Sequence, residues 1–153
     1  MRNLASSVYL LPEGRTPLDI ETVSRSEKFQ LNQANNLSFG YTKKHYWLRY
    51  TLENPHKKSR SLIVQVDYPL IDTIDFYQPG SDGSFKQLRS GDSQPLENRY
   101  LRHHSFTFHL DIPPNSQKTY YMRVGSTSTV TIPLRLWDDT KFVNHMNISS
   151  KAQ

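Results

Sequence analysis

The sequence predicts an all-β fold, an antiparallel β-sandwich of the jelly-roll type with one short N-terminal helix. Apolar and polar residues alternate along most apolar segments, as they do in strands that are buried on one face. Pro, Gly, Asn and Ser separate these segments about every 8–15 residues, a spacing typical of sandwiches. Nine Tyr, seven Phe and two Trp can fill a core although hydrophobic residues make up only 35% of the 153 residues.

The N-terminal segment predicts one strand and one helix. Val8–Leu11 is a short apolar run that ends at a Pro-Glu-Gly turn. Thr16 suits an N-cap position and Pro17 suits the first helical position, so a helix is expected over about residues 17–25. The remaining apolar segments are too short or too strictly alternating to be helices.

Strict alternation makes Tyr46–Glu53 the clearest strand in the sequence. One face carries Tyr46, Leu48, Tyr50 and Leu52, and the other carries Trp47, Arg49 and Thr51. After a polar turn at Asn54–Ser59, Ser61–Asp67 reads as the next strand. Residues 46–67 are therefore expected to form a hairpin.

Further strands bring the expected total to eight or nine. They are Ile71–Gln78, Phe85–Arg89, His104–Leu110, Thr119–Val124 and Val130–Trp137. In the first of these, Ile74 and Phe76 are expected to face inward, and Asp75 and Tyr77 outward.

Two polar stretches are not expected to form strands. Residues 91–102 predict irregular structure, and the polar tail from Thr140 predicts a loose connector. The sequence thus predicts one sandwich domain over residues 1–142 and a linker over residues 143–153.

Charge and composition exclude several classes of protein. The net charge is +5, but the 19 Lys and Arg are dispersed rather than clustered, which argues against nucleic-acid binding. The absence of Cys excludes disulfides and thiolate chemistry. No segment approaches the roughly 18 apolar residues needed to cross a bilayer, and no secretory signal follows Met1. The chain is expected to be either cytosolic or one piece of an exported protein.

No motif of an enzyme or a metal site is present. The 14 acidic residues are scattered, so no carboxylate pair for glycoside hydrolysis is assigned. His103 and His104 point to opposite faces of a strand, and His109 is too distant from His103 to share an ion. GxSxG, P-loop and GxGxxG motifs are absent. We expect no enzymatic activity, no cofactor and no bound metal.

Arginines with aromatic neighbours indicate a candidate binding site. On three predicted strands an Arg lies opposite the apolar face with an aromatic residue two positions away; the pairs are Arg49 with Trp47, Arg123 with Tyr121, and Arg135 with Trp137. Tyr77 and Asp75 join them if their strand lies in the same sheet. Aromatic rings stack on sugars and Arg binds hydroxyls, carboxylates or phosphates, so a shallow ligand site on the outer face of one sheet is one interpretation.

Two other interpretations of this pattern stay open. The arginines suit ordinary ion pairs with acidic residues across strands. One of the two Trp residues also suits a core position, if a bulge breaks the alternation.

The order of several short motifs resembles a known bacterial family. The motifs are Asn36–Tyr41, Tyr46–Tyr50, Asn54-Pro55, Tyr68–Asp72, Phe76-Tyr77, Ser90–Asp92, Arg102–Phe106, Arg123-Val124 and Pro133–Trp137. Over residues 5–142 they resemble the type 2 extracellular sensor domain of 7TM receptors with diverse intracellular signalling modules (7TMR-DISMED2).

The resemblance implies a periplasmic jelly roll that is similar to carbohydrate-binding modules and galactose-binding domains. It implies a parent receptor of the inner membrane, with a seven-helix region followed by a histidine kinase, as in a two-component system, or by a diguanylate cyclase. The implied ligand is a carbohydrate or a related small molecule, and the family has no catalytic residues to transfer. A homodimer is a further expectation. The alternative function is a protein–protein or dimerisation module that has no small-molecule ligand.

Overall fold

The fold is built from short antiparallel strands. The computed structural model describes residues 1–34, 37–38, 45–67, 73–88, 91–92, 105–125 and 131–151. The strands are β1 (Arg2–Asn3), β2 (Tyr9–Pro12), β3 (Gln30–Leu31), β4 (Leu37–Ser38), β5 (His45–Asn54), β6 (Arg60–Asp67), β7 (Thr73–Pro79), β8 (Phe85–Leu88), β9 (Gly91–Asp92), β10 (Ser105–Ile112), β11 (Ser116–Gly125), β12 (Thr131–Ile132) and β13 (Leu134–Asp138). The helices are α1 (Ile20–Ser24) and α2 (Asp139–Lys151), and Ala5–Ser7 form a 3-10 turn.

The strands pack as two sheets, which confirms the predicted sandwich. One sheet has the order β1-β13-β6-β10-β9, the other has the order β3-β2-β5-β11-β7-β8, and β12 pairs with β4. The pairings that the structure describes are antiparallel. The long strands β5, β6, β7, β10, β11 and β13 lie alternately in the six-stranded and the five-stranded sheet, as strands do in a jelly roll.

The main core lies between the two sheets and is filled by alternate side chains of each strand. The six-stranded sheet contributes Leu48, Tyr50, Leu52, Phe76, Tyr120, Met122 and Val124, and the five-stranded sheet contributes Leu62, Val64, Val66, Phe108, Leu110, Ile112 and Leu134. Phe76 stacks on Phe108 with ring centroids 4.5 Å apart, so the two sheets meet at this pair. The predicted inward orientation of Ile74 and Phe76 is confirmed.

The predicted hairpin over residues 46–67 is wrong. β5 pairs with β2 and β11, whereas β6 pairs with β10 and β13, so the turn after β5 carries the chain from one sheet to the other. Asn54, which is 1% exposed, holds this corner. Its amide donates to the carbonyl oxygens of Lys58 at 2.8 Å, Ile112 at 3.0 Å and Pro113 at 3.1 Å.

The segment between the predicted strands Ile71–Gln78 and Phe85–Arg89 closes a hairpin, formed by β7 and β8. The amide of Gly80 donates to the carbonyl of Ser84 at 2.7 Å. Gly83 has a φ of 85°, a conformation that side-chain-bearing residues rarely adopt. Irregular structure was predicted over residues 91–102, but Gly91–Asp92 form β9 because they pair with β10; residues 93–102 lie outside the described residues, as do His103 and His104.

The predicted N-terminal helix is present, but it begins later than expected. Asp19, not Thr16, is its N-cap, and its carboxylate accepts from the amide of Thr22 at 2.8 Å. This hydrogen bond lowers the pKa of Asp19. The helix spans only Ile20–Ser24, and Leu18 before the cap and Val23 within the helix both pack against the outside of the six-stranded sheet.

The tail was expected to be a loose connector from Thr140, and this expectation is wrong for the described part. Asp139–Lys151 form α2, which starts directly after β13. Phe142 is buried against Trp137, with ring centroids 5.9 Å apart, and His145 stacks on the same indole at 4.7 Å. Tertiary packing therefore stabilises a helix whose sequence is largely polar. The assignment of residues 143–153 as a linker toward a membrane region stays a prediction.

Removing the hydroxyl of Tyr50 is expected to stabilise the fold. This hydroxyl is buried in the main core and has no hydrogen-bond partner within the described residues, and its burial raises the pKa of Tyr50 well above the usual value. An unpaired buried hydroxyl costs about 1–3 kcal/mol. We expect Tyr50→Phe to raise the free energy of unfolding in urea by about 1 kcal/mol. Tyr120→Phe is the neighbouring control, and equal or lower stability of Tyr50→Phe would contradict the argument.

Candidate functional site

The outer face of the six-stranded sheet carries most of the predicted site residues. The strand register places Leu31, Tyr9, Arg49, Tyr121 and Tyr77 in one row across β3, β2, β5, β11 and β7. These side chains point away from the main core, because the residues beside them along each strand point into it. Tyr77 was expected to join the candidate site if its strand lay in the same sheet as Arg49, and it does.

A second row lies on the same face, two residues along each strand from the first row. It contains Leu11, Trp47, Arg123 and Asp75. The indole of Trp47 stacks on the ring of Tyr77, with centroids 5.7 Å apart and planes inclined by 25°. Five of the seven predicted site residues therefore lie together on this face.

Residues 13–29, here called the strap, cross over this face and bury much of it. The strap includes α1, and its side chains Leu18, Ile20, Val23 and Phe29 pack with Leu11, Trp47 and Tyr121 in a second core outside the sandwich. Trp47 is fully buried as a result. It is a core residue, as one of the open interpretations held, but the alternation of β5 is unbroken and no bulge is involved.

Glu13, at the start of the strap, fixes it to the sheet. Its carboxylate accepts from the guanidinium of Arg123 at 3.0 Å and 2.7 Å and from the indole nitrogen of Trp47 at 2.8 Å. The side chain of Glu13 is only 4% exposed. Burial alone would raise the pKa of this carboxyl, but the hydrogen bonds from Arg123 and Trp47 outweigh it and lower the pKa from 4.5 to about 2.

Arg49 occupies the open part of the face. Its guanidinium carbon lies 4.7 Å from the ring centre of Tyr9 and 4.6 Å from that of Phe29, so the cation sits between two aromatic rings. Tyr9 is 37% exposed and Arg49 is half-buried, so this cluster is accessible from solvent. None of the ion pairs found in the described ranges involves Arg49.

Arg135 and Trp137 do not share this face, which corrects the expectation of a single surface. Both lie on β13, which belongs to the five-stranded sheet. Trp137 donates from its indole nitrogen to the side-chain oxygen of Gln65 at 2.9 Å and is covered by α2. Their position follows from the pairing of β13 with β6, which no local sequence pattern specifies.

Two clefts adjoin the strap. One of about 500 Å³ lies between the loop that follows Glu13 and α1; Leu18 and Val23 line it together with Arg15 and Lys28. The other, of about 790 Å³, lies beside β2 and β3 and is lined by Leu10, Pro12, Gln30, Leu31, Asn32, Gln33 and Tyr46. The first has room for a small polar ligand next to the aromatic face, whereas Leu10 and Tyr46 of the second belong to the opposite side of the sheet and pack against the main core.

Sequence reasoning missed Glu13, Tyr9 and Phe29. A single acidic residue in a turn gives no indication of a buried ion pair, so the role of Glu13 could not be predicted from the sequence. The sequence does contain an indication that this face is covered. Trp47 and Tyr121 both point outward by alternation, and a sheet face that carries these aromatic residues is too apolar to be exposed to water.

No group of three or more His, Cys, Asp or Glu that suits a metal ion occurs within the described residues. No helix in the same part of the chain is both long and apolar enough to span a membrane.

Comparison with known proteins gives one extensive match. A family model described as 7TMR-DISM extracellular 2 matches residues 5–138. None of the curated proteins matches. Among solved structures, "A novel family GH115 4-O-Methyl-alpha-glucuronidase, BtGH115A, with specificity for decorated arabinogalactans" aligns with a TM-score of 0.31 and 11% identity over 67% of this chain. The aligned part is 16% of that enzyme, and a likeness of this size carries no functional argument.

Proposed function

The chain belongs to the 7TMR-DISM extracellular 2 family, the extracellular sensor domains of membrane receptors, and we propose that it binds a carbohydrate or a related small molecule for its receptor. We further propose that the receptor lies in a bacterial inner membrane with this domain in the periplasm. Its output module would be a histidine kinase or a diguanylate cyclase. Binding changes such an output only as far as the ligand prefers one receptor state over the other.

The observation that carries this proposal is the Arg49 cluster. A guanidinium between two aromatic rings offers a stacking surface for a sugar ring and donors for its hydroxyl or carboxylate groups. In the described structure Arg49 has ring partners but no acidic partner, so its donors are free to serve a ligand. The proposed site contains Arg49 and Tyr9 at the surface and the buried Phe29 beside them, with Tyr121, Tyr77, Trp47 and Arg123 beneath the strap.

A second candidate function is dimerisation without a small-molecule ligand. Tyr9 and Leu31 are exposed, and they lie on β2 and on the edge strand β3. An edge strand with apolar neighbours is a surface on which a second copy can add a strand.

The affinities of the Arg49→Ala and Arg135→Ala variants for glycans, compared with that of the wild type, distinguish ligand binding from dimerisation without a ligand. The two arginines look alike in sequence, but only Arg49 is on the strap side of the sandwich. We expect Arg49→Ala to lose at least tenfold in affinity for the glycans that the wild type binds on an array, the loss that about 1.4 kcal/mol of contact energy produces. We expect Arg135→Ala to bind as the wild type does.

Circular dichroism and thermal unfolding of both variants serve as the folding control. Binding that survives in Arg49→Ala and disappears in Arg135→Ala would move the site to the other sheet. If the wild type binds no glycan but dimerises as its concentration rises in sedimentation, the second function replaces the first.

A further inference from the structure

The donors that hold Glu13 form a carboxylate site built on the sheet. Arg123 lies on β11 and Trp47 on β5, two paired strands in the middle of the six-stranded sheet. Their three N–H groups converge on the Glu13 carboxylate at 2.7–3.0 Å, and the face of Tyr77 stacks against Trp47. The carboxylate comes from the strap, as does one further donor to it, the backbone N–H of Leu18, whereas the three side-chain donors lie on the sheet. The recognising side chains are therefore fixed by strand pairing, whereas the group they recognise belongs to a loop.

Arg49 lies beside this site and adds a second cation. Trp47 and Arg49 are two residues apart on β5, so both side chains point to the same face. Tyr9 and Phe29 flank Arg49, and Phe29 is also the last residue of the strap. Two arginines and several aromatic rings thus share one face with two carboxylates: Glu13 forms the ion pair with Arg123, and Asp75 lies opposite Arg123 on β7, where it accepts a hydrogen bond from Gln87.

We propose that the site formed by Arg123 and Trp47 binds the carboxylate of an acidic sugar, and that Glu13 is the internal competitor which holds the strap closed when no ligand is bound. This inference rests on the proposed function and specifies its ligand class. Glu13 occupies the position that the ligand carboxylate takes, and Arg49 contacts the rest of the sugar. When the ligand displaces the Glu13 carboxylate, the strap loses its side-chain contacts with Arg123 and Trp47, and the aromatic face beneath it becomes accessible.

Internal competition sets the direction of the expected effects. A tethered carboxylate acts at an effective concentration on the order of millimolar, so a ligand must exceed its attraction before it binds. The apparent affinity falls with the fraction of molecules in which the site is open. A substitution that weakens the contacts of Glu13 is thus expected to destabilise the domain and, at the same time, to increase its affinity for acidic ligands. A purely structural role for Glu13 predicts destabilisation without tighter binding.

The test compares digalacturonate with α-1,4-galactobiose, which differ in their carboxylates, on the wild type, Glu13→Gln and Glu27→Gln. Glu27 is an exposed acid of the same strap, so its variant matches the change in charge. In calorimetric titrations we expect Glu13→Gln to bind digalacturonate about tenfold more tightly than the wild type, because its open fraction is larger. We expect galactobiose to bind more weakly than digalacturonate, and Glu27→Gln to behave as the wild type.

A second measurement needs no change at Glu13. The chain has two Trp residues, so Trp137→Phe leaves Trp47 as the single reporter beneath the strap. We expect digalacturonate to shift the emission of Trp47 to longer wavelength, and galactobiose to leave it unchanged. Circular dichroism checks that the Trp137→Phe variant keeps its fold.

The outcomes separate this inference from the function on which it rests. Equal binding of the acidic and the neutral sugar, weaker binding of digalacturonate by Glu13→Gln, or bound digalacturonate without a shift of Trp47 emission would each overturn the acidic-ligand inference. In those cases the saccharide sensor proposal stands. If neither the wild type nor Glu13→Gln binds any saccharide, both proposals fail together.

Discussion

Replacing Arg123 by Met is expected to lower the free energy of unfolding by about 3–5 kcal/mol, the cost of leaving one partner of a buried ion pair without the other. Met keeps much of the length and apolar volume of the Arg side chain, so the lost charge and hydrogen bonds account for most of the effect. Among its side-chain donors, Glu13 then keeps only that of Trp47, while its carboxylate stays 4% exposed. Urea unfolding at pH 7, followed by circular dichroism, measures the change.

A double variant distinguishes the ion pair from simple loss of packing. In Arg123→Met with Glu13→Gln no buried charge lacks a partner, so we expect it to be more stable than Arg123→Met alone. Arg60→Met is a control on the other sheet, where the 2.8 Å pair with Asp138 is more exposed and is expected to contribute about 0–1 kcal/mol. The explanation is wrong if the double variant is as unstable as Arg123→Met.

Acid is expected to destabilise the domain through Glu13. The pKa of this carboxyl is about 2 in the folded chain and near its ordinary value of 4.5 after unfolding, so the unfolded chain binds the proton more readily. The stabilisation is therefore fully present above about pH 5 and is lost as the pH falls toward 2. The shift corresponds to a loss of about 3 kcal/mol across this range.

Unfolding of the wild type and Glu13→Gln in urea at several pH values tests this expectation. The Gln side chain does not titrate, so its variant is expected to lack this part of the acid dependence and to approach the wild type in stability near pH 2. Glu27→Gln, with its exposed carboxyl, should keep the acid dependence of the wild type. Parallel curves for the wild type and Glu13→Gln would contradict the assignment.

The local alternation of side chains was predictable from the sequence, because a strand repeats every two residues whatever lies next to it. Leu48 and Tyr50 face the core and Trp47 and Arg49 face outward, as expected. The choice of sheet was not predictable in this way, since pairing depends on residues far along the chain. That is why the hairpin of β5 with β6 is wrong, and why Arg135 was grouped with Arg49.

Part of the composition of the candidate site was predictable, whereas Tyr9, Phe29 and the identity of the segment that covers the site were not. Arg49, Arg123 and their aromatic neighbours lie on one face as the pattern indicated. The sequence contains no local sign that residues 13–29 cross that face, because the strap contributes only scattered apolar residues. α2 was missed for a similar reason: among its side chains that the structure describes, residues 139–146, Phe142 is the buried one, and a single apolar residue does not establish a helical period.

The alternation of successive strands between the sheets has a consequence for how the chain reaches its native state. β5 pairs with β2 on one side and with β11 on the other, so Trp47 meets Arg123 only after a long intervening stretch of chain has been ordered. Folds dominated by such distant pairings form in milliseconds to seconds rather than microseconds. The two donors that anchor Glu13 come together only through this pairing. Closure of residues 13–29 thus depends on the contact of Glu13 with Arg123, which spans 110 residues, as well as on its contact with Trp47, which spans 34.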